Sequence, residues 1–155
     1  MKILIGWTEW CQFPELKLPA IKAKIDTGAR TSALHAFNIE AFKKDDKDWV
    51  NFDIHPLQYN DTVVVNCQAP IVDERSVMSS NGSKEHRYVI STPLLLGNEV
   101  WEIELSLSNR EPLRFRMLLG REALQNHTII DPNRRYCGGK LAKSKALQLY
   151  ADRHV

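Results

Sequence analysis

Residues 23–34 read AKIDTGARTSAL, and the interpretation of the whole chain starts from this stretch. Apolar residues alternate up to Ile25, which is typical of a strand that ends where a glycine-containing turn begins. In that turn Asp26 would present a carboxylate to a water molecule. The Thr27 hydroxyl would bond to the same turn in a second copy of the chain. Gly28 allows a close backbone approach, so its N–H can donate to a carboxylate oxygen. An ordinary Asx-type turn is the alternative for the same three residues.

Strand and turn signals alternate along the rest of the chain. The stretches that alternate apolar with polar residues, or are rich in β-branched residues, are 1–7, 31–34, 49–54, 61–67, 85–90, 100–107 and 113–119. Turn residues separate them at 45–48, 59–61, Asn81-Gly82 and Gly97-Asn98. This spacing predicts an all-β, mostly antiparallel fold, closed as a barrel or packed as a sandwich.

Helix signals are confined to two places. Residues 121–125 follow Gly120 and predict one short helix. The tail from about residue 138 is left open between a helix and a frayed end. The chain contains no linker or internal repeat, so we expect a single domain over residues 1–155.

Composition excludes several classes of protein. The 155 residues are 43% hydrophobic and have a formal net charge of +2, so a core can form and no strongly basic surface for nucleic acid is expected. No apolar run approaches the roughly twenty residues that a membrane span needs. The three cysteines are an odd number without a C-x-x-C pair, which favours reduced thiols in a soluble, cytoplasmic protein.

Two further segments strengthen the interpretation of the first. Residues 116–124 read RMLLGREAL, with bulky apolar residues and a glycine at a strand end that leads into a helix. Between the two glycine turns, residues 77–85 have strand signals on both sides of a small tip formed by Ser79, Ser80, Asn81 and Gly82. This hairpin would close over a substrate as a flap, or would be a plain surface hairpin.

The order of these segments resembles the retropepsin plan, and four strings make the resemblance specific. Residues 20–36, 79–82, 87–90 and 117–124 are similar to the retropepsin-like family often labelled "ATP-dependent zinc protease". The resemblance covers about residues 3–136. It implies a retropepsin-like barrel, an aspartic peptidase activity, and an association with ATP-grasp ligases that add glutamates to proteins. The chain departs from the family pattern at Ser83, where a histidine is expected.

Peptide hydrolysis by carboxylates needs two of them around one water molecule. The chain supplies one Asp-Thr-Gly; Asp131, the later candidate, is followed by Pro132 and lacks the glycine N–H. We therefore expect a homodimer in which Asp26 of each copy meets on a two-fold axis. The expected function is an aspartic endopeptidase acting on a peptide or protein substrate.

Arginines near the expected cleft suggest which substrates are preferred. Arg30, Arg87 and Arg121, with Ala29 and the tip residues 79–82, are the candidate substrate-binding residues. Guanidinium groups bind carboxylates well, so acidic or glutamate-modified substrates are expected. Ordinary ion pairing with the chain's own acidic residues is the alternative.

Two other functions remain open. A non-catalytic peptide-binding module of the same fold could act as the partner of a glutamate ligase. A zinc-dependent hydrolase is less favoured, because the chain has no His-Glu-x-x-His and no histidine pair at helical spacing. Strands could still bring His35, Cys67 and His86 together. Gly138-Gly139-Lys140 lacks the pattern of a phosphate-binding loop, so neither a metal nor another cofactor is expected.

Overall fold

The computed structural model describes residues 2–78, 82–109 and 114–152, which form eleven strands, two α-helices and one 3-10 turn at Pro14–Leu16. The strands are β1 (Ile3–Ile5), β2 (Thr8–Phe13), β3 (Leu18–Ile25), β4 (Ser32–His35), β5 (Phe37–Lys44), β6 (Lys47–Ile54), β7 (Val65–Met78), β8 (Lys84–Leu96), β9 (Glu99–Ser108), β10 (Met117–Leu119) and β11 (Thr128–Ile130). The helices are α1 (Arg121–Leu124) and α2 (Lys143–Ala151).

Six strands close into a barrel in the order β2-β3-β10-β4-β9-β8, and β8 returns to β2 through the pair Gln12 and Leu95. Closure leaves no unpaired edge within the barrel, which protects it from pairing with other chains. Strands β7, β6 and β5 extend the sheet beyond β8, and β1 pairs with β11 separately. The predicted closed, mainly β fold is confirmed.

Three strand pairs are parallel: β3 with β10, β4 with β9, and β1 with β11. The first two bring chain segments that are distant in sequence to the middle of the barrel. Strands β3 and β10 end side by side, with Ile25 next to Leu119. The first glycine turn therefore begins beside the second.

Alternation along the strands fills the barrel. Large side chains that are fully buried lie on the barrel strands at Phe13, Leu18, Ile21, Leu34, Ile90, Leu94, Leu96, Leu105 and Leu107, and outside them at Ile5 on β1 and at Phe52 and Ile54 on β6. On β3, Ile21 and Ala23 are buried, whereas Lys22 is half-buried and Lys24 is exposed. The outer face of β3 is therefore basic.

Two predicted strands are shorter than the sequence suggested. The strand expected over residues 61–67 starts at Val65. The Asn60 side-chain oxygen accepts hydrogen bonds from the N–H groups of Thr62 (2.8 Å) and Val63 (3.0 Å), and this cap holds the preceding residues in a turn.

The strand expected over residues 113–119 is reduced to β10, and Leu113 lies outside the described residues. The chain just before β10 makes contacts outside the sheet. The Gln58 side chain donates to the Arg114 carbonyl at 2.8 Å, and the Phe115 ring meets the Trp7 ring edge-on at 6.2 Å. These contacts replace strand pairing at residues 114–115.

Helix α1 confirms the predicted short helix, and the C-terminal tail forms α2. The α2 residue Tyr150 packs against β3, where its hydroxyl donates to the Ala20 carbonyl and accepts from the Ala20 N–H (3.3 Å). Both backbone groups lie at an irregularity in the pairing of β2 with β3. In the described part of the chain, neither helix has the length and apolarity that crossing a membrane would require.

Replacing Tyr150 with phenylalanine should destabilise the protein by about 1–3 kcal/mol, because both backbone groups of Ala20 lose their partner while buried. Urea unfolding followed by circular dichroism measures the change. Tyr59→Phe is the matched control, since Tyr59 is 76% exposed. Equal stability of the two variants would show that the Tyr150 hydroxyl does not stabilise β3.

Candidate active site

The Asp26 turn begins directly at the end of β3 and stays tied to the neighbouring strand. The Asp26 N–H donates to the Leu119 carbonyl at 2.9 Å, and the Ala29 N–H donates to the Asp26 carbonyl at 3.2 Å. The first bond continues the β3–β10 pairing by one residue. This bond fixes the backbone of Asp26 next to the end of β10, and so the point from which its side chain extends.

The carboxylate of Asp26 is bound on one side and open on the other. The Gly28 N–H donates to Oδ1 at 3.0 Å, and no group of the described residues donates to Oδ2. Asp26 is half-buried, whereas Thr27 and Gly28 are exposed. The Asp-Thr-Gly turn therefore presents a carboxylate oxygen and the Thr27 hydroxyl at the surface of the chain.

Gly120 allows the two glycine turns to lie in contact. A Cβ atom at Gly120 would lie 2.8 Å from the Thr31 carbonyl carbon and 2.9 Å from the Ala29 oxygen. Two N–H groups at the start of α1 donate to the same turn, Arg121 to the Ala29 carbonyl (2.8 Å) and Glu122 to the Arg30 carbonyl (3.1 Å). The glycine in the sequence motif is thus explained by backbone packing.

A buried chain of serines supports the turn from below, and the sequence analysis missed it. Ser32 Oγ accepts from the Gly120 N–H at 3.0 Å, and Ser106 Oγ donates to the Ser32 carbonyl at 3.1 Å. Both serines are buried. One signal was visible in the sequence: along β9 the polar positions change from glutamate at 102 and 104 to serine at 106 and 108.

The three candidate arginines each have a partner within the chain. Arg30 Nε lies 3.0 Å from a Glu122 carboxylate oxygen, and Arg87 lies 3.0 Å from Glu85. An Arg121 guanidinium nitrogen donates to the Thr27 carbonyl at 2.9 Å. Arg30 is 79% exposed but Arg87 only 12%, so they differ greatly in what they can offer a ligand.

The predicted flap corresponds to the β7–β8 hairpin. Its strands pair as far as Met78 and Lys84. Gly82 has a φ of +85°, which favours glycine. Ser79, Ser80 and Asn81 lie outside the described residues. Ala29, the remaining candidate, is half-buried in the Asp26 turn.

A buried carboxylate outside the turn stabilises the entry to β2. Glu9 has no exposed surface and accepts hydrogen bonds from the N–H groups of Gly6 (2.8 Å), Cys137 (2.8 Å) and Gly138 (2.9 Å). These bonds join the segment after β11 to the barrel. Burial raises the pKa of the Cys11 thiol, and nearby Glu9 adds to this effect, so Cys11 is not an activated nucleophile.

His35, Cys67 and His86 are not brought together. Cys67 Sγ lies 3.4 Å from the Leu16 carbonyl, and the His86 ring lies 3.0 Å from Glu74 on the hairpin. Across residues 2–78, 82–109 and 114–152, no group of three or more His, Cys, Asp or Glu side chains could hold a metal ion.

Comparison with known proteins adds the following findings. A family model described as the retropepsin-like aspartic endopeptidase RimB matches residues 4–140. Proteins of Shewanella pealeana and Desulfotalea psychrophila, both named "Probable alpha-L-glutamate ligase", are 48% and 50% identical over 149 residues. That match covers 96% of this chain and 32% of each relative, so the chain spans about a third of their length.

A solved structure shows the same fold. It is a Legionella pneumophila protein of unknown function, with a TM-score of 0.74 and 24% sequence identity. The alignment covers 89% of this chain and 99% of that protein.

Ser32→Ala should destabilise the protein by about 1–3 kcal/mol, because the buried Gly120 N–H loses its acceptor. Ser91→Ala is the control; Ser91 is half-buried on β8 and donates to the Glu102 carboxylate, so its loss should cost less than about 0.5 kcal/mol. Thermal unfolding of both variants measures the difference. A Ser32 variant as stable as the Ser91 variant would exclude the serine as a support of the turn.

Proposed function

Because the chain belongs to the RimB-like family of retropepsin-like aspartic endopeptidases, we propose that it hydrolyses peptide bonds with the Asp26 carboxyl groups of two copies of the chain. The observation that supports this most strongly is the Asp-Thr-Gly turn itself. Its carboxylate is tied by Gly28 on one side, while the turn is open at the surface on the other. A second turn of the same shape could meet it there.

The reaction needs two carboxyl groups in different protonation states. One carboxylate takes a proton from a water molecule as the water oxygen attacks the peptide carbonyl carbon. The other, protonated, carboxyl donates its proton to the carbonyl oxygen. Collapse of the tetrahedral intermediate breaks the C–N bond: the first carboxyl group gives its proton to the leaving amine nitrogen, and the second carboxylate takes a proton from one of the two hydroxyls, so both groups return to their starting protonation states. Two like charges at close distance share one proton, which supplies both states at once.

A homodimer is the simplest source of the second carboxyl group. Among the described residues no other carboxyl group is hydrogen-bonded to Asp26. A two-fold axis through the turn would place identical groups face to face, since a two-fold interface uses the same surface patch on both copies. Thr27 is exposed, and its hydroxyl would bond across such an axis under this proposal.

Acidic or glutamate-modified peptides are the proposed substrates. The relatives named as glutamate ligases support this choice, since a peptidase of this family would act on the kind of bond that such a ligase forms. Arg30, Arg121, Ala29 and the tip residues 79–82 remain the proposed contacts from the sequence. Arg87 is too buried to reach a substrate without leaving Glu85, so its contribution would be indirect.

A second candidate function is a peptide-binding module that acts with a glutamate ligase without catalysing hydrolysis. The lengths of the relatives favour it: 149 aligned residues account for 96% of this chain but only 32% of proteins named as ligases. Under this proposal the barrel would hold the acidic product or acceptor, and the ligase would be its partner.

Asp26→Asn should abolish hydrolysis of a glutamate-rich peptide while leaving folding and self-association intact, because it removes the ionisable group from an already surface-exposed turn. The control is Asp48→Asn in the β5–β6 hairpin, where the exposed carboxylate pairs with Lys43. Peptide cleavage is followed by mass spectrometry. Activity retained in the Asp26 variant would refute the proposed chemistry. Peptide binding without cleavage by the wild-type chain would favour the binding module.

Mixing the wild-type chain with the Asp26→Asn chain tests whether the site is shared. If each centre needs one aspartate from each copy, activity falls with the square of the wild-type fraction, and an equal mixture retains about one quarter of the activity. Independent centres would retain about one half. Subunit exchange is verified by native mass spectrometry, and a linear decrease would contradict the two-fold centre.

A further inference from the structure

Lys24 lies on the same face of β3 as Asp26. The backbone stays extended to Asp26, since the Ile25 N–H donates to Trp7 on one side and the Asp26 N–H donates to Leu119 on the other. In extended chain, side chains two residues apart point the same way and are about 7 Å apart. Ala23 points into the core, and Lys24 is exposed.

The surface next to Lys24 is apolar. Leu118 is paired beside Lys24 on β10, and Ala33 is paired opposite Leu118 on β4. Residues paired in adjacent strands share a face of the sheet, and both are half-buried. A glutamate side chain would complement this surface, because its carboxylate can pair with the Lys24 ammonium group while its two methylenes lie against Leu118 and Ala33.

The other cations near the turn are already engaged. Arg30 and Arg87 pair with Glu122 and Glu85, and Lys22 lies over the rings of Trp10 (5.2 Å) and Tyr136 (5.7 Å). Lys24, in contrast, has no ion pair or hydrogen bond from its ammonium group to any described residue. A substrate carboxylate would therefore compete with no partner for Lys24.

The surface beside α1 is acidic. A cavity of about 250 Å³ opens next to Thr31 and Ser32, and its lining includes Glu102, Glu104 and Glu122. Glu104 and Glu122 pair with Arg75 and Arg30, so this cavity offers an acidic peptide no cation without a partner, whereas the Lys24 surface does. The charge distribution thus favours the Lys24 surface, rather than the surface beside α1, for binding an acidic peptide.

We propose that Lys24 is a specificity-determining residue, whose ammonium group binds the side-chain carboxylate of a substrate glutamate next to the scissile bond. Leu118 and Ala33 pack against the methylenes of that glutamate. This inference rests on the proposed peptidase function for its reference to a scissile bond. The carboxylate subsite itself would exist in a binding module as well.

Binding is measured in the Asp26→Asn background, so that no peptide is cleaved. The probes are a fluorescein-labelled peptide with four consecutive glutamates and its counterpart with four glutamines, followed by fluorescence anisotropy. We expect Lys24→Gln to weaken binding of the glutamate peptide roughly ten- to hundredfold and to leave the glutamine peptide unchanged, because a charge-assisted hydrogen bond is lost. Lys24→Arg should preserve the preference.

Lys22→Gln is the matched control, since Lys22 lies on the same strand and face but is covered by two aromatic rings. It should change the affinity for the glutamate peptide less than about threefold. A similar loss in both variants would overturn the assignment, because it would indicate general attraction by the basic surface. The assignment would also be overturned if the Asp26→Asn protein with Lys24 intact bound the two peptides equally well.

Cleavage assays in the wild-type background separate this inference from the proposed function. If Lys24→Gln cleaves both peptides with an unchanged ratio of kcat/KM, the Lys24 subsite is refuted and the peptidase stands. If no chain cleaves either peptide but the affinity for the glutamate peptide still depends on Lys24, the subsite stands and the peptidase fails. Lys24→Glu should reverse the preference towards a peptide with four lysines; no reversal would count against the subsite.

Discussion

The contact between Gly120 and the backbone of residues 29–31 is the constraint on which the site depends. A side chain at this position would have to occupy the space of two carbonyl groups less than 3 Å away. Without one, the end of β10 lies against the Asp26 turn, and α1 can direct two N–H groups at the turn's carbonyls. The glycine therefore fixes the position of a carboxylate that it does not itself touch.

The packing of Gly120 and α1 against the Asp26 turn determines which side chains near the turn can contact a ligand. Main-chain hydrogen bonds and Ser32 hold the turn from the barrel side, and Arg121 fixes the Thr27 carbonyl. Arg30 and Arg87 are paired with glutamates of the same chain, so a ligand carboxylate would compete with these partners for their guanidinium groups. The positive charge that remains available to a ligand is the Lys24 ammonium group. Lys24 is exposed on the outer face of β3 because side chains alternate between the two faces of the strand. Support and recognition are thus divided between different residues.

Features set by local chemistry could be predicted from the sequence. The Asp45-Asp46 turn adopts positive φ at both residues, 53° and 64°, the Asp26 turn follows a strand, and the short helix follows Gly120. The mainly β fold also followed from the regular spacing of strands and turns, which left a barrel and a sandwich as alternatives, and the resemblance to retropepsins indicated the barrel. The motif residues could be identified in the sequence because each needs a particular backbone conformation or a close approach at its own position.

Features that depend on distant parts of the chain could not be predicted in this way. The parallel pairing of β3 with β10 and the closure at Gln12 and Leu95 have no signature within their own segments. The partner of Arg30 was equally hidden, since Glu122 lies 92 residues away in the sequence.

The central claim is that the catalytic centre is completed by a second copy of the chain. Sedimentation equilibrium, measured over the same range of protein concentration as specific activity, tests it most directly. The account predicts a mass approaching twice the 17.8 kDa of one chain, with specific activity rising in proportion to the dimer fraction. A 17.8 kDa particle whose specific activity does not depend on concentration would contradict it.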